Sequence, residues 1–387
     1  MTDQQIVQKA QQLIAIPSTG DNPQALQAAI DCIAAMLASD RNVTVEHFVD
    51  NGVSSLLAYK GSERPARFAV LLNGHLDVVP GKPVQFTPYV EDGKLFGRGA
   101  HDMKTAAVVM TDVFRHMVHT VPYALGLQIV CDEELGGFNG TKFQIDEGVR
   151  TDFAIMGEHS FQKNAIYTAA RGLCWVEVVF TGKTAHGGYV WNGSNAVVQA
   201  SNFTQALLQH YPIPEAEMWG TTVNVASLHA GHTVYNRVPD SATLHLDFRF
   251  TPDDAVFKSR QNVRAFLRSI DPAADITVGL HEPAIEIPTT NPYLQALAAA
   301  VRHETGQEPR FSRRFAGGDA RHYTAKAAGD CVEYGLMGNG PHSDNEYVEI
   351  SDIARYKRTL EQFLGGLGAV VHQSKSQKGK EFATSKS

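Results

Sequence analysis

At 387 residues, with 43% hydrophobic and 19% charged side chains, the chain is too long for one ordinary core and points to two domains. Its formal net charge of −7 is the wrong sign for a protein that neutralises nucleic-acid phosphates. No stretch approaches the length of about eighteen apolar residues that a membrane span needs, and MTDQQIVQKAQQLIAIPS at the N-terminus lacks the basic start and apolar run of a signal peptide. The expectation is a cytoplasmic protein with no nucleic-acid and no membrane partner. Cys32, Cys131, Cys174 and Cys331 lie far apart with no C-x-x-C pair, as reduced thiols do.

Residues 4–16 and 23–38 have amphipathic helical spacing and are joined by the turn-rich PSTGDNP. Val43 to Phe48 and Ser54 to Tyr59 alternate around Asp50-Asn51-Gly52, which predicts a hairpin. Phe68 to Leu72 is continuously apolar, as a buried parallel strand is, and it runs into His75-Leu76-Asp77. Residues i and i+2 of an extended segment share a side, so Asp77 can accept from one ring nitrogen of His75 and leave the other for a metal. GRGAHDMK follows, and a helix is predicted from Met103 to Val118 with Asp102 at or just before its N-cap. Strands predicted at Leu125 to Cys131 and Phe153 to Met156 end in Asp132-Glu133-Glu134 and Gly157-Glu158-His159. Three buried strands deliver acid or imidazole at one end, where open α/β sheets carry their chemistry.

After Tyr167 the pattern changes to alternating segments at Leu173 to Thr181, Thr222 to His229, Ala242 to Phe250 and Ile276 to Leu280, separated by helical stretches at Asn195–Gln209 and Asp254–Ser269. The order β-α-β-β-α-β is that of a ferredoxin-like unit, so 171–283 is expected to be an inserted domain. Residues 1–170 and 284–371 would then form a catalytic α/β domain with a mostly parallel central sheet flanked by helices. Within the second part, a helix is predicted at Tyr293 to Thr305, a Gly-Gly-Asp turn at 317–319 and a strand from Asp330 to Gly335. PHSDNEYV and a closing helix from about Ser351 to Leu367 follow. The polar tail 372–387 is expected to be disordered.

His75, Asp102, Glu133, Glu134, Glu158 and His342 form a set of acids and imidazoles drawn from separate strand ends and loops. Imidazole with carboxylate suits zinc, cobalt or manganese. One metal needs only three protein ligands, whereas six candidates around a central aspartate suit two ions roughly 3.5–4 Å apart that share a carboxylate. Of the adjacent pair Glu133 and Glu134, one can bind metal while the other serves as general base.

GHLDVVPG, GRGAHDMK, CDEELGG, GEH and PHSDNEYV resemble, in register, the successive signatures of the dizinc aminoacylase, acetylornithine deacetylase, succinyl-diaminopimelate desuccinylase and carboxypeptidase G metallopeptidases. The resemblance implies His75, Asp102 and Glu158 on one zinc, and Asp102, Glu134 and His342 on the other. It further implies Glu133 as general base and Asp77 as the partner that orients His75. His101 departs from the family's small residue before the aspartate, and no role follows for it from the resemblance. GKTAHGG, YNRVP and the arginine of DFRF resemble the family's inserted lid, which mediates dimerisation. There the resemblance implies His186 as an oxyanion donor to the partner's site in a homodimer, with Asn236 and Arg249 on substrate. Arg321, in the loop GGDAR, matches a loop that approaches the substrate carboxylate. The activity implied is hydrolysis of an amide bond in an N-acyl amino acid or related small carboxylate. The alternatives are a carboxypeptidase or dipeptidase, or a catalytically silent small-molecule binding protein.

Overall fold

A computed structural model describes residues 1–371; the tail expected to be disordered, 372–387, lies outside the described residues. The chain divides into two compact units. One comprises Met1–Thr168, Ile287–Arg313 and the described residues from Gly318; the other comprises Ala169–Glu286 with Arg314–Gly317.

The first unit is built on a mixed sheet. Asn51 and Gly52 both take positive φ, 47° and 80°, the backbone of a two-residue hairpin turn whose twist matches its strands. Val43–Asp50 and Val53–Lys60 accordingly pair antiparallel. Val53–Lys60 pairs antiparallel with Leu125–Val130. The parallel core then runs through Leu125–Val130, Phe68–His75, Thr151–Met156 and Asp330–Glu333. Every residue of Phe68–His75 and of Leu125–Val130 is buried, which is why Phe68 to Leu72 reads as a continuous apolar run.

Val70, Leu72, Leu127, Ile129, Phe153 and Ile155 share one apolar core with residues of Asp3–Ile14, Pro23–Leu37, Thr105–Met117, Pro292–Thr305 and Ser351–Gly366. A buried polar row also crosses the sheet: Asn73 donates to Gln128 Oε1 at 2.7 Å, and Gln128 donates to Gln144 at 3.0 Å. These bonds offset part of the cost of burying the amides, while Asn73 Oδ1 stays buried without a hydrogen bond.

In the second unit, Thr222–Ala230, Ser241–Phe250, Gly172–Thr181 and Asp275–Glu282 form a four-stranded antiparallel sheet in that order. Cys174, Val176, Val178 and Phe180 alternate inward with Leu244, Leu246 and Phe248 against Phe203 and Leu207 of Ala196–His210 and Val263 and Leu267 of Arg260–Ile270. This is the predicted ferredoxin-like order. The helix expected from Asp254 starts later, because Ser259 caps Arg260–Ile270 through Asn262 N–H, while Asp254 caps a separate short turn, Ala255–Lys258.

All four cysteines are free, and among the described residues no helix is long and apolar enough to cross a membrane.

Candidate metal centre

His75 closes the central strand, Glu133 and Glu134 follow Leu125–Val130 in a short turn, and Glu158 follows Thr151–Met156. All these groups therefore emerge at the carboxyl ends of parallel strands. Asp102 comes from a different element. The helix predicted from Met103 begins at Thr105, and Asp102 does not cap it. Ala100–Lys104 is instead a distorted turn in which Asp102 (φ −122°, ψ 94°) and Met103 (φ −132°, ψ 32°) are non-helical, and the Asp102 side chain is turned toward imidazoles.

His75 Nε2 lies 3.1 Å from Asp102 Oδ1 and 3.4 Å from Glu158 Oε1. His342 Nε2 lies 3.3 Å from Asp102 Oδ2 and 3.1 Å from Glu134 Oε1. The two oxygens of Asp102 thus face two different imidazoles. Single donor atoms of His75, Glu133 and Glu158 gather within 4.8 Å of one another, as do those of Asp102, Glu134 and His342, and those of Asp102, Glu158 and His159.

Asp77 joins two of these elements. Its backbone carbonyl lies 3.0 Å from His75 Nδ1 and its Oδ1 at 3.4 Å, while Oδ2 accepts the Glu134 N–H at 2.9 Å. The expected orientation of His75 by the Asp77 carboxylate is therefore shared with the Asp77 main chain. Burial opposes charge on His75, but the carboxylates of Asp102, Asp77 and Glu158 outweigh it and hold the imidazole well above its ordinary range. Burial also opposes charge on Asp102, and hydrogen bonds from His159, His342 and His75 hold it well below. Glu133 is pushed well up, first by burial and then by the charge of Glu158. That is the direction a proton-accepting and proton-returning group needs near neutral pH.

Three side chains that the sequence did not single out complete the site. Glu346 is buried; its Oε1 accepts the N–H groups of both His101 and Asp102 at 3.0 Å, and its Oε2 accepts from Arg98 Nη1 at 2.7 Å. Arg98 also donates to the His342 carbonyl at 3.3 Å. One buried ion pair thereby ties the Asp102 turn to the His342 loop, where His342 itself sits at φ 64°. Glu346→Ala leaves Arg98 buried without its partner, so a loss of about 3–5 kcal/mol is expected. Urea unfolding of the metal-free protein measures it, and a loss below about 1 kcal/mol contradicts it. His159 is the third, described below. His101 is buried and donates from Nε2 toward the carbonyls of Ser160 (3.0 Å) and Leu336 (3.1 Å). Burial brings it down to about 4, leaving a neutral ring.

Of the remaining sequence candidates, Arg321 belongs to the first unit and His186, Asn236 and Arg249 to the second. Arg321 is buried and donates to the carbonyls of Gly318 and Gly136, each at 2.7 Å, and His322 Nε2 also meets the Gly136 carbonyl at 2.8 Å. Gly136 closes the Glu133 turn through its N–H to the Glu133 carbonyl, so this pair braces the turn that carries Glu133. Gly137 follows at φ 65°, where a Cβ would sit 1.7 Å from Asp319 Oδ1; only glycine allows that approach. In the second unit, His186 and Asn236 are exposed on adjoining loops, with Gly187 N–H bonded to the Asn236 carbonyl at 2.7 Å. His186 Nδ1 accepts from Gly188 N–H at 3.1 Å. Arg249 is clamped by Asp247 through three contacts of 3.0–3.2 Å.

Asp102, Glu133, Glu134 and Glu158 crowd four carboxylates around the imidazoles of His75, His159 and His342, and Glu158 Oε1 is buried without a hydrogen bond. Like charges so placed need cations. Mixed oxygen and nitrogen donors, two sets sharing one aspartate, suit divalent metals.

An α/β sheet carrying a paired acid-imidazole centre, with a ferredoxin-like insertion, is the architecture of a two-metal hydrolase. The peptidase family M20/M25/M40 model matches residues 71–365, and the chain belongs to that family. It is a metal-dependent hydrolase of amide bonds with two divalent ions. A succinyl-diaminopimelate desuccinylase of Delftia acidovorans is 28% identical over 386 residues, covering 92% of this chain and 97% of the relative. Among solved structures, aminopeptidase PepT from Bacillus cereus superposes with a TM-score of 0.75 at 17% identity, covering 94% of this chain and 98% of that one. YXEP from Bacillus subtilis, described as a dinuclear metal binding peptidase, superposes at 0.69 with 14% identity, covering 94% and 97%. Those two likenesses are of fold.

Proposed function

We propose that the protein is a cytoplasmic deacylase that hydrolyses the amide of a small N-acyl amino acid with zinc as its native metal, cobalt or manganese being substitutes. The observation that carries this reading is the meeting of His75 and His342 at the two oxygens of Asp102, with Glu133 gathered beside His75 and Glu158. The similarity to a succinyl-diaminopimelate desuccinylase over nearly the whole of both chains supports an N-acyl amino acid over a peptide. His75, Asp102 and Glu158 would hold one ion, and Asp102, Glu134 and His342 the other.

When bound, the two ions supply Lewis-acid polarisation of the amide carbonyl and a nucleophile at neutral pH. The protein's own part is positioning and proton transfer. Asp77 keeps the His75 ring turned with Nε2 inward. A Glu133 carboxylate oxygen takes the proton of the attacking water and returns it to the leaving nitrogen, and the C–N bond breaks as that nitrogen is protonated. Arg321 and His322 hold the turn that aims Glu133.

A panel of N-succinyl, N-acetyl and N-formyl amino acids with matched dipeptides, assayed with zinc, cobalt and manganese, tests the reading. Faster turnover of at least one N-acyl amino acid than of any dipeptide is expected, and the reverse ranking overturns the deacylase assignment.

The working form in this reading is a homodimer in which the exposed His186 serves the partner's site as oxyanion donor, with Asn236 and Arg249 toward substrate. Losing one such donor costs about 2.7–4 kcal/mol of transition-state stabilisation, so His186→Ala should lower turnover roughly 10²–10³-fold at unchanged metal content. Mixing it with Glu133→Gln should restore part of the activity once subunit exchange is verified. Full turnover of His186→Ala contradicts the shared site.

A further inference from the structure

His159 is held beside the metal centre by its own set of contacts. Its Nδ1 lies 3.4 Å from Asp102 Oδ2 and 3.5 Å from Glu158 Oε2. One donor atom from each of the three residues falls within 4.8 Å of the others. The ring is fixed from behind: His101 and Phe161 meet it edge-on at centroid distances of 5.3 and 5.5 Å, and meet each other at 5.8 Å. His101 is in turn anchored on the carbonyls of Ser160 and Leu336. Edge-to-face packing of this kind restricts a ring to one orientation.

The two imidazoles at this end divide the carboxylate oxygens between them. His75 Nε2 approaches Asp102 Oδ1 and Glu158 Oε1; His159 Nδ1 approaches Asp102 Oδ2 and Glu158 Oε2. An ion held by Asp102 and Glu158 would therefore have an imidazole within reach on either side. We infer that His159 is a further metal ligand, giving one of the two ions the donor set His75, His159, Asp102 and Glu158. Two imidazoles with two carboxylates favour zinc, cobalt and nickel over magnesium, calcium and manganese. The other ion, with Asp102, Glu134 and His342, keeps fewer protein donors and the more open coordination that a substrate needs.

This inference rests on the two-metal reading, and the test separates the two. The full chain, labelled with ¹⁵N at histidine, is titrated with ¹¹³Cd²⁺. Cadmium bound per chain is counted by elemental analysis, and the imidazole nitrogens that acquire scalar coupling to cadmium are counted by NMR. Such coupling exists only across a coordinate bond, so a histidine that merely hydrogen-bonds the carboxylates does not show it. Two cadmium ions and three coupled nitrogens are expected, falling to two nitrogens in His159→Gln. One of the two dissociation constants should also rise about 10–100-fold in that variant. Two ions with only two coupled nitrogens, both surviving in His159→Gln, overturn the assignment of His159 and leave the two-metal centre standing. A single ion with the His159 coupling present overturns the two-metal centre and leaves the assignment. The wild-type count decides by itself where the variant fails to fold.

Discussion

Glu133→Gln is expected to keep both metal ions and to lose roughly 10²–10⁴-fold in turnover, the range for removal of a general base. Glutamine preserves the size and the hydrogen-bonding oxygen but cannot accept the proton of the attacking water. Of the donor atoms gathered with it, on His75 and Glu158, those of His75 also face Asp102 and Asp77 and those of Glu158 face His75 and His159, so their placement does not depend on the Glu133 charge. Removing that charge also relieves its repulsion with Glu158. Metal affinity should accordingly be unchanged or slightly stronger while turnover collapses. The measurement is kcat beside metal content on the same preparation. Near-normal turnover with both ions bound would show that another group moves the proton.

Asp102→Ala is expected to abolish activity by releasing both ions, a larger effect than the loss of any other ligand. The reason is geometric. Oδ1 of Asp102 faces His75 and Oδ2 faces His342, so one truncation removes a donor from each set, and the remaining carboxylates of Glu133, Glu134 and Glu158 lose the bridge that brings two cations close. His75→Ala or His342→Ala should each weaken one ion and largely spare the other. Competition with a chelator distinguishes the cases: two weakened constants for Asp102→Ala, one for each histidine variant. A single weakened constant for Asp102→Ala would mean that the aspartate does not bridge.

The parts of this centre legible in the sequence are those whose signal is local. An apolar run such as Phe68 to Leu72 ending in His75, or Leu125 to Val130 ending in Glu133 and Glu134, announces a buried strand with polar chemistry at its end, because burial and strand length leave their mark on consecutive residues. The β-α-β-β-α-β alternation of the second unit was readable for the same reason. Arg98 and Glu346 were not, since each looks like a loop charge until residues 248 positions apart form a buried ion pair. Asp102 looked like a helix cap because aspartate before an apolar helix usually is one; here the turn Ala100–Lys104 and the Glu346 carboxylate aim it elsewhere. His159 was overlooked beside Glu158, although GEH places an imidazole next to a candidate carboxylate. Arg321 resembled a substrate contact, and its bonds to the carbonyls of Gly136 and Gly318 leave no mark in the sequence. The assignment of Arg314–Gly317 to the second unit has no sequence mark, because that segment joins the unit through tertiary contacts alone.

The central claim is a pair of divalent ions bridged by Asp102. Dialysed protein titrated with zinc and read by elemental analysis after removal of free metal tests it most directly. Two zinc ions per chain at saturation, with one retained in His342→Ala, is the result this account predicts; saturation of the wild-type chain at a single ion would contradict it.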